Sequence, residues 1–168
     1  MAVPATALEI RPIEPGDKAA LTTAVDESSR ESIYRRFLNP HGRLTAAELR
    51  YLTEVDHRDH EALVAILPGT GESVGVARYV RDHERPGSAE IAVAVRERWQ
   101  GRGVGKALLR GLADRAREEG IGEFTGLMLS DNLPMRRLLA VLGTPRRVGS
   151  EAGALELAVA LGAGSGER

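Results

Sequence analysis

The chain has no cysteine, which excludes disulfides, thiolate metal sites and a cysteine nucleophile together. It has no apolar run near the roughly 20 residues that span a bilayer. Its opening, MAVPATALEI, also lacks the basic stretch and long apolar core of a secretory signal. The expectation is a cytoplasmic protein with no membrane partner. Neither charge is in surplus, since 23 Lys and Arg stand against 24 Asp and Glu, a formal net charge of -1. Phosphate contacts need a basic excess, so a nucleic-acid partner is not expected. Lysine itself is scarce, Lys18 and Lys106 being the only two. We ascribe that arginine bias to the base composition of the genome rather than to function.

What is present reads as one domain. The 168 residues, 42% hydrophobic and 28% charged, are enough to close a core and ordinary for a globular protein. We take residues 1–168 as a single domain with its core over about 8–160 and a mobile tail at 161–168. Leu8, Ile10 and Ile13 begin an edge strand, and Asp17 after Pro15-Gly16 is placed to cap a helix to about Ser28. Ser29 to Phe37 and Thr45 to Val55 read as short helices, the second with Thr45 and Glu48 as a capping box. ALVAIL and Val74 to Val80, separated by Pro68-Gly69, predict a hairpin, and Ala89 to Val95 a third strand. A helix over about Gly103 to Glu119 carries Val104, Leu108, Leu112 and Ala116 on one face. Phe124 to Leu129 predicts a strand, Asn132 to Leu142 a short helix, and Val148 to Ala160 a strand or hairpin. Hairpins followed by alternating helices and strands point to a mixed α/β or α+β sheet with helices packed on it.

The segment VRERWQGRGVGKALL sets Gly101, Gly103 and Gly105 between a strand and a long helix. Glycines let amides point into one concavity, and a helix start adds partial positive charge, so the segment suits a pyrophosphate, with Arg102 and Lys106 adding charge. It is not a Walker A loop, because Gln100 and Ala107 stand where that loop needs Gly and Ser or Thr. Nor is it a dinucleotide fingerprint, because Lys106 occupies its third glycine.

The spacing that fits is Gln/Arg-x-x-Gly-x-Gly/Ala, met by Gln100, Gly103 and Gly105. On it the segment resembles the GNAT superfamily of N-acetyltransferases. SDNLPMRRLLAVLG resembles that family's second motif, and RPIEPGD, SIYRRFL, LTEVDHRDHEALVA, VGVARYVRD and SAEIAVAV resemble the bacterial Pat-type protein lysine acetyltransferases. The resemblance covers about Leu8 to Gly143. It implies a twisted, mostly antiparallel sheet flanked by helices, and acetyl-CoA as acetyl donor. It further implies that Gln100, Gly101, Arg102, Gly103, Val104, Gly105 and Lys106 hold the pyrophosphate and that Asn132 lies beside the pantetheine. A simple N-cap role for Asn132 is compatible with that contact. The main chain of Val93, Ala94 and Val95 is expected to pair with the pantetheine arm, the N–H of Val93 polarising the thioester carbonyl.

Lysine has a pKa of about 10.4, so at neutral pH only about one amine in 10³ is ready to attack and a base is needed. Glu90, opening an otherwise apolar strand that leads to the glycine loop, is the candidate at the position where the Pat-type proteins carry theirs. Burial would raise its pKa into a useful range. The alternative is an exposed strand end paired with Arg78 or Arg81. Leu139 stands where many GNAT enzymes have the tyrosine that protonates the departing thiolate, which leaves Ser130, water, Tyr34, Tyr51 or Tyr79 for that role. Asp56, His57 and His60 have the residue types of a metal site, but no further ligands cluster near them, and no metal is expected. Arg136-Arg137 and Arg146-Arg147 read as solvated pairs, with the 3'-phosphate of CoA as the other reading for one of them. The leading expectation is an acetyltransferase acting on lysine side chains of proteins, an acyl-CoA synthetase being one such acceptor. Acetylation of a small amine, or a non-catalytic acyl-CoA-binding module, are the alternatives.

Overall fold

A computed structural model describes residue 4 and residues 7–26 and 43–163 of the chain. The expected helix at Ser29 to Phe37, together with Tyr34 and most of the tail, lies outside the described residues.

The elements run β1 (Glu9–Pro12), α1 (Lys18–Asp26), α2 (Ala46–Thr53), β2 (His60–Leu67), β3 (Glu72–Arg81), β4 (Ser88–Val95), α3 (Val104–Glu118), β5 (Glu123–Leu129), α4 (Leu133–Leu139), β6 (Arg146–Glu151) and β7 (Ala154–Ala160). The strands form one seven-stranded sheet in the order β1-β2-β3-β4-β5-β7-β6. Every neighbouring pair is antiparallel except β4 and β5. This is the mixed α/β, mostly antiparallel sheet expected from the sequence.

Residues Glu61 to Ile66 of β2 are all buried, because both faces of the sheet are covered there. Leu63 and Ala65 join the core under α3 with Tyr79, Leu108, Leu112 and Phe124. Ala62, Val64 and Ile66 pack with Ile13 in a second core on the opposite face. The predicted stripe of α3, Val104, Leu108, Leu112 and Ala116, is buried throughout. The helix sits so close to the sheet that a Cβ at Gly75 would lie 3.1 Å from Leu108 Cδ1 and 3.2 Å from Val104 Cγ1. A side chain there would lift the N-terminal turn of α3 off β3.

The capping box of α2 is present, Thr45 Oγ1 accepting from Glu48 N–H at 3.1 Å and Glu48 Oε2 from Thr45 N–H at 2.7 Å. Asp17 does not cap α1 as expected. It closes a 3-10 turn at Pro15–Asp17, and its carboxylate turns back to accept from Glu14 N–H and pair with Arg11, which hold it below the usual carboxylate range. Val148 to Ala160 resolves into a hairpin that begins earlier, at Arg146, around Ala152-Gly153. No helix among the described residues is long and apolar enough to cross a membrane.

Candidate active site

The parallel ladder between β4 and β5 is short. Ser88, Ala89 and Glu90 pair with Glu123, Phe124 and Thr125, and the register then stops. On its other side β4 stays paired with β3 as far as Val95 opposite Gly75. Val93, Ala94 and Val95 therefore line a fork in the sheet with no strand on the β5 side among the described residues. Arg96 N–H donates to Val74 O at 2.9 Å, toward β3. Strand groups alternate in direction, so the N–H and C=O of Val95 and Val93 point into the fork, whereas those of Ala94 point at β3. Pairing along the fork is thus open to Val93, the residue singled out as donor, and to Val95, but not to Ala94.

The carbonyl of Val95 is engaged. Gln100 Nε2 donates to it at 2.9 Å, so Gln100 folds the glycine segment back against the mouth of the fork. Gly101 and Gly103 have φ of 73° and 85°, the left-handed region that favours glycine. A Cβ at Gly101 would meet nothing of the chain within 4 Å, so the left-handed backbone conformation is what requires glycine there. Gly103 is the N-cap of α3 and offers no side chain to cap it. Amides of the first turn, through Val104, Gly105 and Lys106, are left without intrahelical acceptors. Arg102 and Lys106 are exposed beside them, the Arg102 guanidinium lying 5.2 Å from the centroid of the Trp99 ring. A Cβ at Gly105 would meet Leu138 Cδ2 at 3.4 Å and Val95 Cγ2 at 3.6 Å, ordinary contacts that accommodate alanine. Asn132 caps α4, its Oδ1 accepting from Met135 N–H at 3.2 Å.

Glu90 is exposed, contrary to the expected burial. The reason is its place: it is the last residue of the β4–β5 ladder, and its side chain lies on the face opposite α3, in a cavity of about 740 Å³ between the sheet and α2. Exposure is what the alternative reading expected, but the ion pair it named with Arg78 or Arg81 is not found among the described residues. Arg81 donates to Asp59 at 2.8 Å, and Arg78 to Leu52 O and His60 Nε2, both at 3.0 Å. Among the described residues Glu90 has no ion-pair partner.

Leu139 is fully buried. Tyr79 is in the core, where its hydroxyl donates to Arg58 O at 2.9 Å and burial pushes its pKa up to about 12. Tyr51, more than half exposed, stands at the cavity rim with its ring 4.9 Å from that of His60. Ser130 is exposed at the end of β5. Asp56, His57 and His60 form a structural loop. Burial works against the charge of Asp56, but N–H groups of His60, Arg58 and Asp59 outweigh it and hold the carboxyl below its usual range. His57 Nδ1 lies 2.7 Å from Glu61 Oε1. His60 is driven down to about 4, first by burial and then by Arg78. No cluster able to hold a metal occurs among the described residues. Arg146 pairs with Glu123 and Arg147 bonds Ser150, while Arg136 and Arg137 are exposed on α4.

Sequence reasoning did not reach Thr125 and Glu156, which line the same cavity as Glu90. Their signal is period two: Thr125 and Leu127 alternate with the buried Phe124 and Met128, and Glu156 pairs with Leu127. Which face held the cavity was not visible until the strand order was.

A family model described as the acetyltransferase (GNAT) family matches residues 24–143. The chain is similar to the acetyltransferase Pat of Mycolicibacterium smegmatis, 37% identical over 134 residues that make up 80% of this chain and 40% of that protein. Among solved structures it is similar to the GNAT domain of PAT from S. lividans, with a TM-score of 0.84 and 33% identity over 92% of this chain and 90% of that one. It is also similar to a cAMP-binding acyltransferase from Mycobacterium smegmatis, with a TM-score of 0.65 and 31% identity over 95% of this chain and 45% of that one. The chain thus spans less than half the length of these two M. smegmatis relatives.

Proposed function

Because the chain belongs to the GNAT family of acetyltransferases, we propose that it acetylates lysine side chains of proteins by direct transfer, with Glu90 as the general base. The acetyl donor of this enzyme family is acetyl-CoA, which supplies the acetyl group as a reactive thioester. The residues present fit that molecule. The fork leaves the backbone of Val93 and the N–H of Val95 without a strand partner among the described residues, and the glycine turn beside it opens α3 at a residue that has no side chain to cap it. Gln100 to Lys106 would hold the pyrophosphate, and the backbone of Val93 and Val95 the pantetheine, with Asn132 at its side. The N–H of Val93, aimed into the fork, is the donor for the carbonyl oxygen as negative charge builds on it.

A single observation carries the role of Glu90. Its carboxylate has no ion-pair partner among the described residues, and it stands at the last rung before the fork, on the wall of a cavity of about 740 Å³. A lysine enters that cavity as ammonium. Glu90 takes a proton from it, and the neutral amine attacks the carbonyl held at Val93. No tyrosine is available at position 139 to protonate the leaving thiolate, and a CoA thiol leaves with little help. The Pat-type relatives favour a protein lysine as acceptor.

The test is incubation with labelled acetyl-CoA and a cell lysate. Acetyl-lysine on proteins above the non-enzymatic background is the expected result. Label confined to small molecules would move the assignment to a small amine.

A further inference from the structure

The cavity that holds Glu90 has a second carboxylate in its wall. Glu156 of β7 is half-buried and, like Glu90, has no ion-pair partner among the described residues. The neighbouring cations are already engaged: Arg85 pairs with Asp82, Arg81 with Asp59 and Arg146 with Glu123, and Arg78 bonds Leu52 O and His60. Gly149 leaves the carboxylate its room, since a Cβ there would lie 3.3 Å from Glu156 Oε2.

The register places the two acids. Glu90 pairs with Thr125 and Thr125 with Ala158, so Glu156 lies two strands over and two residues along. At ordinary sheet spacings that separates the two Cα atoms by about 12 Å. The two side chains rise from the same face of the sheet two strands apart, so each carboxylate presents its own side of the cavity. In an extended peptide, residues two and four positions apart face the same way and lie about 7 and 13 Å apart.

Resting on the reading of Glu90 as base for a protein lysine, we infer that Glu156 is a specificity residue that binds a second basic side chain of the acceptor, two to four residues from the lysine acetylated. The reacting ammonium goes to Glu90, and the flanking cation is held by Glu156 on the far wall.

Synthetic peptides with one acceptor lysine, and with arginine or its uncharged counterpart citrulline two or four residues to either side, test this. The intact chain is expected to favour an arginine peptide over its citrulline partner by about 3- to 5-fold in kcat/KM, the size of one partly exposed ion pair. That ratio falls as salt is raised, which needs no variant. It falls to about one in Glu156→Gln and is retained in Glu156→Asp, with the acetyl-CoA thermal shift of each variant as control for folding. Equal use of arginine and citrulline peptides, or a ratio unchanged in Glu156→Gln, overturns the role of Glu156 and leaves Glu90 untouched. Acetylation of no peptide by a chain that binds acetyl-CoA overturns the protein-lysine reading, and this inference with it.

Discussion

Glu90 faces Thr125 across the last parallel rung of the sheet, and no pairing of β4 with β5 continues beyond it. That one relationship sets the candidate base, the backbone edge of the fork and the cavity next to one another.

Replacing that base keeps its size and removes its basicity in Glu90→Gln. The variant is expected to retain its fold and its acetyl-CoA thermal shift and to lose about 10² to 10⁴-fold in turnover at neutral pH. The deficit shrinks at high pH, where more of the amine arrives neutral. Steady-state rates from pH 7 to pH 10 check this, and a variant as active as the parent at pH 7 removes Glu90 from the mechanism.

The glycine turn makes a graded prediction. Gly103 has φ of 85°, so Gly103→Val strains the backbone and is expected to abolish stabilisation by acetyl-CoA. Gly105→Ala meets only ordinary contacts and should keep it, whereas Gly105→Leu drives into Leu138 and Val95 and should lose it. Thermal shifts of the three variants with millimolar acetyl-CoA decide the point. Equal shifts in all three would mean that the turn does not bind the donor.

Burial, and then Arg78, lower the His60 pKa to about 4 in the fold, against about 6.5 in the unfolded chain. Between those values the unfolded chain binds a proton that the folded one does not. Stability should therefore be unaffected by His60 above about pH 6.5 and decline as pH falls toward 4. Protonation would also remove the acceptor lone pair that meets Arg78 Nη1. In His60→Gln this contribution disappears, so denaturant midpoints of the two proteins should change differently between pH 6.5 and 4. Parallel curves would show that the imidazole does not titrate this way.

Leu139 is fully buried on α4, in the core that includes Leu157 and Met128. Leu139→Ala is expected to destabilise the protein by about 2–5 kcal/mol, seen as a fall in melting temperature. Leu139→Met should leave both stability and turnover close to the parent. A large loss of turnover in that variant, without loss of stability, would return position 139 to the chemistry.

Much of this was legible along the chain, because it depends on neighbours in sequence. The capping box of Thr45 and Glu48, the apolar stripe of α3, and the glycines at 101 and 103 each follow from propensity, period or backbone freedom over a few residues. Asp17 was misread for a related reason: its carboxylate is equally able to cap forward or to reach back, and Arg11 on β1 decided for the second. The position of Glu90 was readable, but its exposure was not. That depended on where β4 and β5 stop pairing, which is a relation between strands more than 30 residues apart. Likewise Glu156 is an unremarked acid on a late strand until β7 is placed beside β5, which brings it to the cavity of Glu90. Local residue chemistry was enough to locate the elements and the glycine turn. Only the order and register of the strands could decide which side chains share a cavity, since that is set by pairing between segments distant in sequence.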